Sequence, residues 1–313
     1  MREMILNHAS VAAGDVDAAV EVLRDLASGM ASLRRSRCTS AVLRTKAEFH
    51  AIPVVRDRSL YDVLLELRRR NGVEEFRFIS QLATKAPLTL DISASVLDRF
   101  LGCEVAEMVP ADGEPLVLCA HLGAVSVSFP STVQWDRDLL DIRFNELLPD
   151  DTLIATSEML DNLARSMHAG AIIGRHSART RDAISDAGSL WENRSTAFPH
   201  LLFGPDVESQ LQAVNTGLIQ IIVGRLAELD GSVGQWPGKG AAAPTWTCKV
   251  TPESDRVQQN GTLRDARRFR SISGSRKLFL WHARFGANGR IHLRVDSGTH
   301  TVEVGYIGVH LPL

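Results

Sequence analysis

The sequence predicts an α+β fold, in which a mostly helical region with interspersed short strands precedes a terminal antiparallel β-meander. Two observations support this class. Apolar residues recur at helical spacing in several upstream stretches, most clearly at 15–35 and 206–229. Residues 277–285, 290–296 and 301–310 alternate at least in part between apolar and polar side chains, as strands with one buried face do. Because the strands of the meander follow one another instead of alternating with helices, we expect α+β rather than α/β.

The elements upstream of the meander follow from apolar spacing and from capping or turn residues. Between 170 and 195 the pattern is mixed and predicts no element, and an apolar patch at 139–144 fits either type. The predicted elements are helices at 15–35, 59–70, 91–100, 156–169 and 206–229, and strands at 40–45, 116–120 and 125–129.

A stretch rich in Gly, Ala and Pro at 230–246 is the best candidate for a linker. It predicts two domains: a mixed α+β domain at 1–229, acting as a sensor or an interaction region, and a basic β domain at 247–313.

The meander has an unusual composition on one face. Turn residues at 286–289 and 297–300 connect the three strands. Phe279, Trp281, Ala283 and Phe285 are predicted to share the buried face. We expect the opposite face to be open to solvent, and it carries His282, Arg284, Arg290, His292 and Arg294. One interpretation is a functional surface, and the other is a charged strand edge that prevents aggregation.

The composition is that of an ordinary globular protein, with 44% hydrophobic and 23% charged residues. No apolar run approaches the roughly 20 residues that span a bilayer, and the N-terminus lacks the form of a secretory signal. Four scattered cysteines fit reduced thiols, so we expect a cytoplasmic protein without a membrane partner.

The positive charge is concentrated near the C-terminus. Residues 256–294 contain ten Arg or Lys and one acid, a net charge of +9, which leaves −11 for the rest of a chain whose total is −2. Such asymmetry indicates an anionic partner for the basic part. Docking of the acidic part onto the basic part explains it equally well.

Metal-independent RNA cleavage needs a base for the 2′-hydroxyl, a cation for the phosphorane and an acid for the leaving oxygen. His, Arg and Tyr side chains supply all three near neutral pH. The candidate catalytic residues are His282, Arg284, Arg290, Arg294, Tyr306 and His310. The candidate nucleic-acid contacts are Arg264, Arg267, Arg268, Arg270, Lys277 and His292.

Other constellations are weaker. Residues 174–182 contain three Arg and one His, which fits phosphate contact or a solvated helix start. Cys119 and His121 fit a thiol nucleophile with its base, or core packing. The acidic residues at 136–141 lack the partners of a metal site, and 238–240 lacks the rest of a phosphate-binding loop. We therefore expect no metal and no cofactor.

The closing strands carry a family resemblance. Residues 290–296, a short turn and residues 302–310 resemble the last strands of RelE/ParE-type toxins, in which a strand opening with Arg and Ile is followed by a hairpin and a strand ending in a basic or aromatic residue. The similarity covers 252–313, with 267–270 and 279–285 as the helix end and the first sheet strand. The whole combination, including 251–254 and 281–285, is similar to uncharacterised bacterial proteins associated with mobile elements or phage defence.

The resemblance implies mRNA cleavage for a RelE-like member, whether ribosome-dependent or free, and gyrase binding for a ParE-like one. The RelE-like cluster corresponds here to Arg284, Arg290, Arg294, Tyr306 and His310. The chain departs from the family in its leading region of about 240 residues, because those toxins are usually single small domains.

Three hypotheses follow. The first is an endoribonuclease of toxin or phage-defence type, restrained or triggered by its N-terminal part. The second is a non-catalytic module that binds RNA or another nucleic acid. The third is a subunit of a bacterial defence complex that binds a co-encoded protein partner.

Overall fold

A computed structural model describes residues 1–105, 113–147, 152–237 and 240–312. The chain forms two compact units, Met1–Arg175 and His176–Leu313. Each unit has its own sheet and its own apolar core.

The first unit is built around a mixed sheet. Its last helix, Ala169–Asp182, begins in the first unit and ends in the second. The elements of this part are β1 (Arg2–Leu6), α1 (Val16–Arg35), β2 (Thr39–Arg44), β3 (Pro53–Val55), β4 (Arg58–Ser59), α2 (Leu60–Arg69), α3 (Val73–Ser80), β5 (Ala83–Lys85), α4 (Ala94–Leu101), β6 (Cys103–Val105), α5 (Glu114–Leu122), β7 (Val125–Val127), β8 (Leu139–Leu147), β9 (Leu153–Leu163) and α6 (Ala169–Asp182).

The sheet of the first unit has the order β5-β2-β1-β7-β9-β8-β6. Strand β1 pairs in parallel with β2 and β7, whereas β8 is antiparallel to both β9 and β6. Alternate residues of β1 enter different cores: Met4 packs with α1 and α2, and Ile5 packs with α5. The carboxylate of Asp15 caps α1 by accepting a hydrogen bond from the amide of Ala18, which fixes where that helix begins.

The second unit contains helices packed on one face of an antiparallel series of strands. Its remaining elements are α7 (Ala187–Ala197), β10 (Leu201–Phe203), α8 (Val207–Gln212), α9 (Ile219–Gly234), β11 (Val250–Pro252), α10 (Asp255–Gln259), α11 (Gly261–Asp265), β12 (Arg268–Arg270), β13 (Arg276–Leu278), β14 (Trp281–Phe285), β15 (Gly289–Asp296) and β16 (Thr301–Val309).

The sheet of the second unit has the order β10-β16-β15-β14-β11. Strands β14, β15 and β16 form the predicted antiparallel meander, and β10 adds a short parallel strand. Apolar residues on one face of the meander, including Ala283, Ile291 and Val304, form a core with α7, α8 and α9. The prediction of an α+β fold with a terminal β-meander is confirmed.

Several predicted elements need correction. Residues 116–120 belong to helix α5, not to a strand: Pro115 lies in its first turn and Gly123 ends it with φ +56°. A short apolar run fits either a buried strand or a buried helix, so the spacing of apolar residues does not distinguish the two here. Residues 156–163 lie in strand β9, not in a helix, because β9 pairs with β8 from Leu153 to Asp161 and with β7 at Asn162 and Leu163.

The predicted helix at 206–229 is divided into α8 and α9. Between them, the side-chain oxygen of Asn215 accepts a hydrogen bond from the amide of Gly217, which closes a turn of 3₁₀ helix at Thr216–Leu218. The first strand of the meander also begins later than predicted. Residues 276–278 pair with β12 in a separate ribbon, and Phe279 packs against Phe269 rather than in the core with Phe285.

The division of the chain differs from the predicted boundary at 230–246. Helices α7 and α8 lie upstream of that stretch, and α9 continues into it as far as Gly234. All three pack against the meander, so they belong to its unit. The change between units falls inside α6, at Arg175. Residues 238–240, which lack the rest of a phosphate-binding loop, lie mostly outside the described residues.

Within the described ranges, no helix is both long enough and apolar enough to cross a membrane.

Candidate functional site

The candidate site lies on the face of the meander opposite the helical core. Register pairs His282 with His292 and, on the next strand, His292 with Tyr306. One step toward the hairpin, Arg284 pairs with Arg290, and Arg290 pairs with Gly308. Side chains directly opposite each other on neighbouring strands share a face. The meander therefore sets a row of two histidines and a tyrosine beside a row of two arginines.

The histidine row is covered, contrary to the expectation of an open face. Residues 253–279 fold back over it and bury His292, which is 2% exposed. Arg267 is 1% exposed, and its Nε lies 3.1 Å from Oε1 of Glu253, which is also buried. An Nη1 hydrogen of Arg267 is donated to the carbonyl of Leu263 at 2.9 Å. Arg267 and His292 are thus internal, and neither is placed to contact a nucleic acid.

Glu253 links the covering segment to the two imidazoles. Its Oε1 lies 3.6 Å from Nδ1 of His282 and 3.7 Å from Nδ1 of His292. Both distances exceed hydrogen-bond length. Nδ1 of His282 is buried without a hydrogen-bond partner among the described residues, while its Nε2 lies 3.3 Å from the hydroxyl of Thr251. The carboxylate therefore acts on His282 through charge rather than through a direct hydrogen bond.

Burial keeps both imidazoles neutral. It is the main cause that lowers the pKa of His292 to about 3, and the neighbouring His282 adds to the effect. The pKa of His282 is also lowered, chiefly by burial; Glu253 opposes this shift, whereas Arg290, Arg284 and His310 reinforce it. His282 is less buried than His292, so a neutral imidazole that can accept a proton reaches the accessible part of the site.

Aromatic rings close the row at Tyr306. The ring of Phe269 stacks on Tyr306 with centroids 5.0 Å apart and meets Phe279 edge-on at 5.8 Å. The Tyr306 hydroxyl donates to the carbonyl of Val309 at 2.9 Å, and burial raises the pKa of Tyr306. The phenol is therefore protonated at neutral pH and engaged with the backbone.

The arginine row lies at the hairpin end. Arg284 is exposed and Arg290 is 7% exposed. Neither makes an ion pair with a carboxylate of the described residues, and Nε of Arg290 is buried without a partner. Burial, reinforced by the charge of Arg284, lowers the pKa of Arg290. His310 follows β16 and is exposed, and its charge reaches His282. This end of the face is strongly positive.

The other predicted contacts lie apart from this cluster. Arg294 is held by Glu303 at 3.2 Å and by Asp296 at 3.2 Å, so it is not the free catalytic cation that the alternation predicted. Arg270 is paired with Asp206, and Arg268 with Asp265. Arg270 is exposed as well as paired, whereas Arg264 and Lys277 are exposed and have no carboxylate partner among the described residues.

The weaker constellations do not form reactive centres. Helix α5 buries Cys119, which raises its pKa to about 12, and the imidazole of His121 lies 3.2 Å from Sγ of Cys103 instead. Burial likewise raises the pKa of Cys103 to about 11. The acidic residues are neutralised by arginines: Asp136 is paired with Arg165 and Asp138 with Arg175.

Among the described residues, no group of three or more His, Cys, Asp or Glu side chains is arranged to hold a metal ion. Residues 174–182, with their three Arg and one His, lie in α6, where the division between the units falls.

Comparison with known proteins found no matching family model, no matching curated protein and no matching solved structure. The interpretation of the site therefore depends on its own geometry.

Three residues of the site were missed from the sequence: Glu253, Thr251 and Phe269. Glu253 gave a weak signal, since it is an acid bordering a long basic segment. Thr251 pairs across strands with His282, but β11 is too short to show an alternating pattern. Phe269 stands between arginines in a segment that resembled a solvated helix end.

Proposed function

We propose that the second unit binds the phosphate backbone of a nucleic acid at Arg284 and Arg290, and cleaves the strand when it is RNA. The observation that supports this best is the cross-strand arginine pair. Two like charges directly opposite on neighbouring strands destabilise a sheet. Neither guanidinium has a carboxylate partner among the described residues, although Arg290 is buried.

An anion at this position removes the repulsion and supplies the missing hydrogen-bond acceptor. The planar guanidinium donates two parallel hydrogen bonds, a geometry that matches phosphate oxygens. His282 lies on the same face, and the amide of His310 donates to the carbonyl of Asn288 in the hairpin that leads to Arg290, so a phosphodiester held there would meet groups that transfer protons. The resemblance of this region to RelE/ParE-type toxins points to the same class of substrate.

In the cleavage reaction, neutral His282 takes the proton of the 2′-hydroxyl. The 2′-oxygen attacks phosphorus, the bond from phosphorus to the 5′-oxygen breaks, and His310 donates a proton to that leaving oxygen. Arg284 and Arg290 stabilise the extra negative charge of the phosphorane. Donors aimed at developing charge typically contribute about 10²–10³ in rate each. Glu253 is a positioning residue, which acts on the reaction through the charge state of His282.

A non-catalytic nucleic-acid-binding or protein-binding subunit is the second candidate. It is favoured by the burial of His292, which withdraws a predicted nucleic-acid contact, and by the bond from the Tyr306 hydroxyl to Val309, which withdraws a predicted acid–base group. Both candidates fit a bacterial toxin or phage-defence protein with a co-encoded partner.

The test uses the full chain with fluorescein-labelled single-stranded RNA in a buffer containing EDTA. Arg284→Ala is the diagnostic variant, because this exposed side chain is removed at little structural cost. Arg56→Ala is the matched control: it removes one exposed arginine from the first unit. Anisotropy measures binding across a salt series, and a denaturing gel measures cleavage.

We expect Arg284→Ala to reduce the log–log salt slope by about 0.7, the value for one phosphate contact on a single strand. Cleavage should fall at least about 10²-fold, and Arg56→Ala should match the wild type in both assays. Binding with no cleavage of RNA by the wild type would support the non-catalytic candidate. Absence of binding, or equal loss in both variants, would refute the phosphate site.

A further inference from the structure

A cavity of about 530 Å³ opens at the hairpin end of the sheet in the second unit, along the edge of β16. Its walls come from the end of α8 and the turn after it, from the hairpin between β14 and β15, and from the end of β16. Strand β10 pairs with β16 only at residues 302–304, so the later part of β16 has an open edge at this point. The amide of Ile307 on that edge donates to the side chain of Gln210 at 2.9 Å.

The cavity is largely apolar and carries no charged side chain. Phe285, Leu218 and Val309 supply apolar surface, and Val309 is 72% exposed although it is a large aliphatic residue. Binding pockets for small organic groups are typically apolar with a few placed polar atoms, and range over about 300–1,000 Å³. A charged ligand would find no counter-charge inside, whereas a flat neutral group fits both the size and the lining.

Three side-chain amides supply the placed polar atoms. Gln210 uses its oxygen for Ile307, and Asn215 uses its oxygen for Gly217. The amide hydrogens of both residues have no partner among the described residues, and neither does the side chain of Asn288. Neutral amide donors and acceptors are the groups that recognise the hydrogen-bonding edge of a nucleobase.

We infer that this cavity holds a nucleobase of the strand whose phosphate lies at Arg284 and Arg290. The inference rests on the proposed function. Continuity supports it: Gly289, Tyr306 and Gly308 line the cavity, and the same residues adjoin Arg290 or are paired with the residues of the site. A strand that passes from the arginine row around the open edge of β16 toward α8 places its phosphate on charge and its base on neutral apolar surface.

The probes are two labelled oligonucleotides of about twelve positions with 2′-O-methyl sugars, which cannot be cleaved. One carries bases, and the other carries abasic tetrahydrofuran sugars with the same number of phosphates. The diagnostic variant is Ala213→Trp, in which an exposed residue lining the cavity gains a side chain that fills it. The control is Gln212→Trp, which adds the same ring to an exposed neighbour outside the lining. Ala287→Trp fills the cavity from the hairpin side and serves as a second variant if Ala213→Trp does not fold.

We expect the wild type to bind the base-containing strand about tenfold more tightly than the abasic strand, within the range for one bound base. Ala213→Trp should bring the base-containing strand to the abasic affinity and leave the abasic strand unchanged, and Gln212→Trp should change neither. Equal wild-type affinity for both strands, with Arg284→Ala still weakening both, would overturn the base pocket and leave the phosphate site standing. Failure to bind either strand would overturn the proposed function and this inference with it.

Discussion

Loss of the Glu253 carboxylate should destabilise the second unit, because it would leave Arg267 charged and buried. The two side chains are 5% and 1% exposed and their atoms meet at 3.1 Å. After Glu253→Gln, the guanidinium keeps its bond to the carbonyl of Leu263 but loses its counter-charge. Removing one partner of a buried ion pair costs about 3–5 kcal/mol. For a unit of this size, we expect the melting temperature to fall by roughly 10 °C.

Urea unfolding followed by tryptophan fluorescence measures this change. Four of the five tryptophans, Trp191, Trp236, Trp246 and Trp281, lie in the second unit, so the signal reports mainly on it. The matched control is Asp265→Asn, which breaks the exposed pair between Asp265 and Arg268; such pairs contribute about 0–1 kcal/mol.

The double variant Glu253→Gln/Arg267→Met separates the ion pair from other effects of the glutamate. Replacing a buried ion pair with apolar groups of similar size is often neutral, and the double variant leaves no unpaired buried charge, so it should recover part of the lost stability. A Glu253→Gln variant less than about 1 kcal/mol below the wild type would refute the reasoning. So would a double variant that is additive, because additivity would mean that the two groups do not interact.

Three further predictions follow from packing and burial. Gly305→Ala should destabilise the protein by about 1–3 kcal/mol, because the added Cβ would lie 2.4 Å from the Phe279 ring. Gly224→Ala in α9 adds a Cβ in open space and should stabilise the protein by about 0.5–1 kcal/mol. The urea midpoints of the two variants measure the difference. Folding lowers the pKa of His292, so between about pH 6.5 and 3 the unfolded chain binds a proton that the folded chain does not. The free energy of unfolding should therefore fall as the pH drops through this range, by at most about 1.4 kcal/mol per pH unit. His292→Gln should flatten that dependence, and an unchanged slope would contradict the prediction. Cys103, whose pKa is raised to about 11, should react with iodoacetamide at pH 7.5 more slowly than free cysteine, as mass spectrometry of the labelled protein would show.

The elements whose local pattern agrees with their packing were predictable from the sequence. Helix α1 combines a regular apolar stripe with the cap at Asp15, and the meander combines alternation with turn residues. Helix α5 and strand β9 were missed because the first is apolar on all sides and the second owes its conformation to pairing with β8. Such pairing is a tertiary effect that a local window does not contain.

The burial of the site residues also depends on tertiary contacts that the local sequence pattern does not contain. Alternation correctly put His282, Arg284, Arg290 and His292 on one face, but it could not show that a later fold of the chain covers part of that face. Burial separates residues that look equivalent in sequence: Arg284 remains exposed, whereas His292 becomes internal. These four side chains therefore share the predicted face, but burial gives them different chemical environments.

The covering segment also explains how a face with so many positive groups is tolerated. Glu253 and Glu303 are buried carboxylates that serve Arg267 and Arg294 respectively, so the interior cations are neutralised one by one. Of the three arginines on the face of the meander, Arg284 and Arg290 at the hairpin end have no carboxylate partner among the described residues. If the basic face served only to keep a strand edge soluble, burying Arg290 beside Arg284 would carry a cost without a benefit, since exposed lysines or arginines would serve equally well. A phosphate that binds the pair removes that cost, which is why the site is best tested at Arg284.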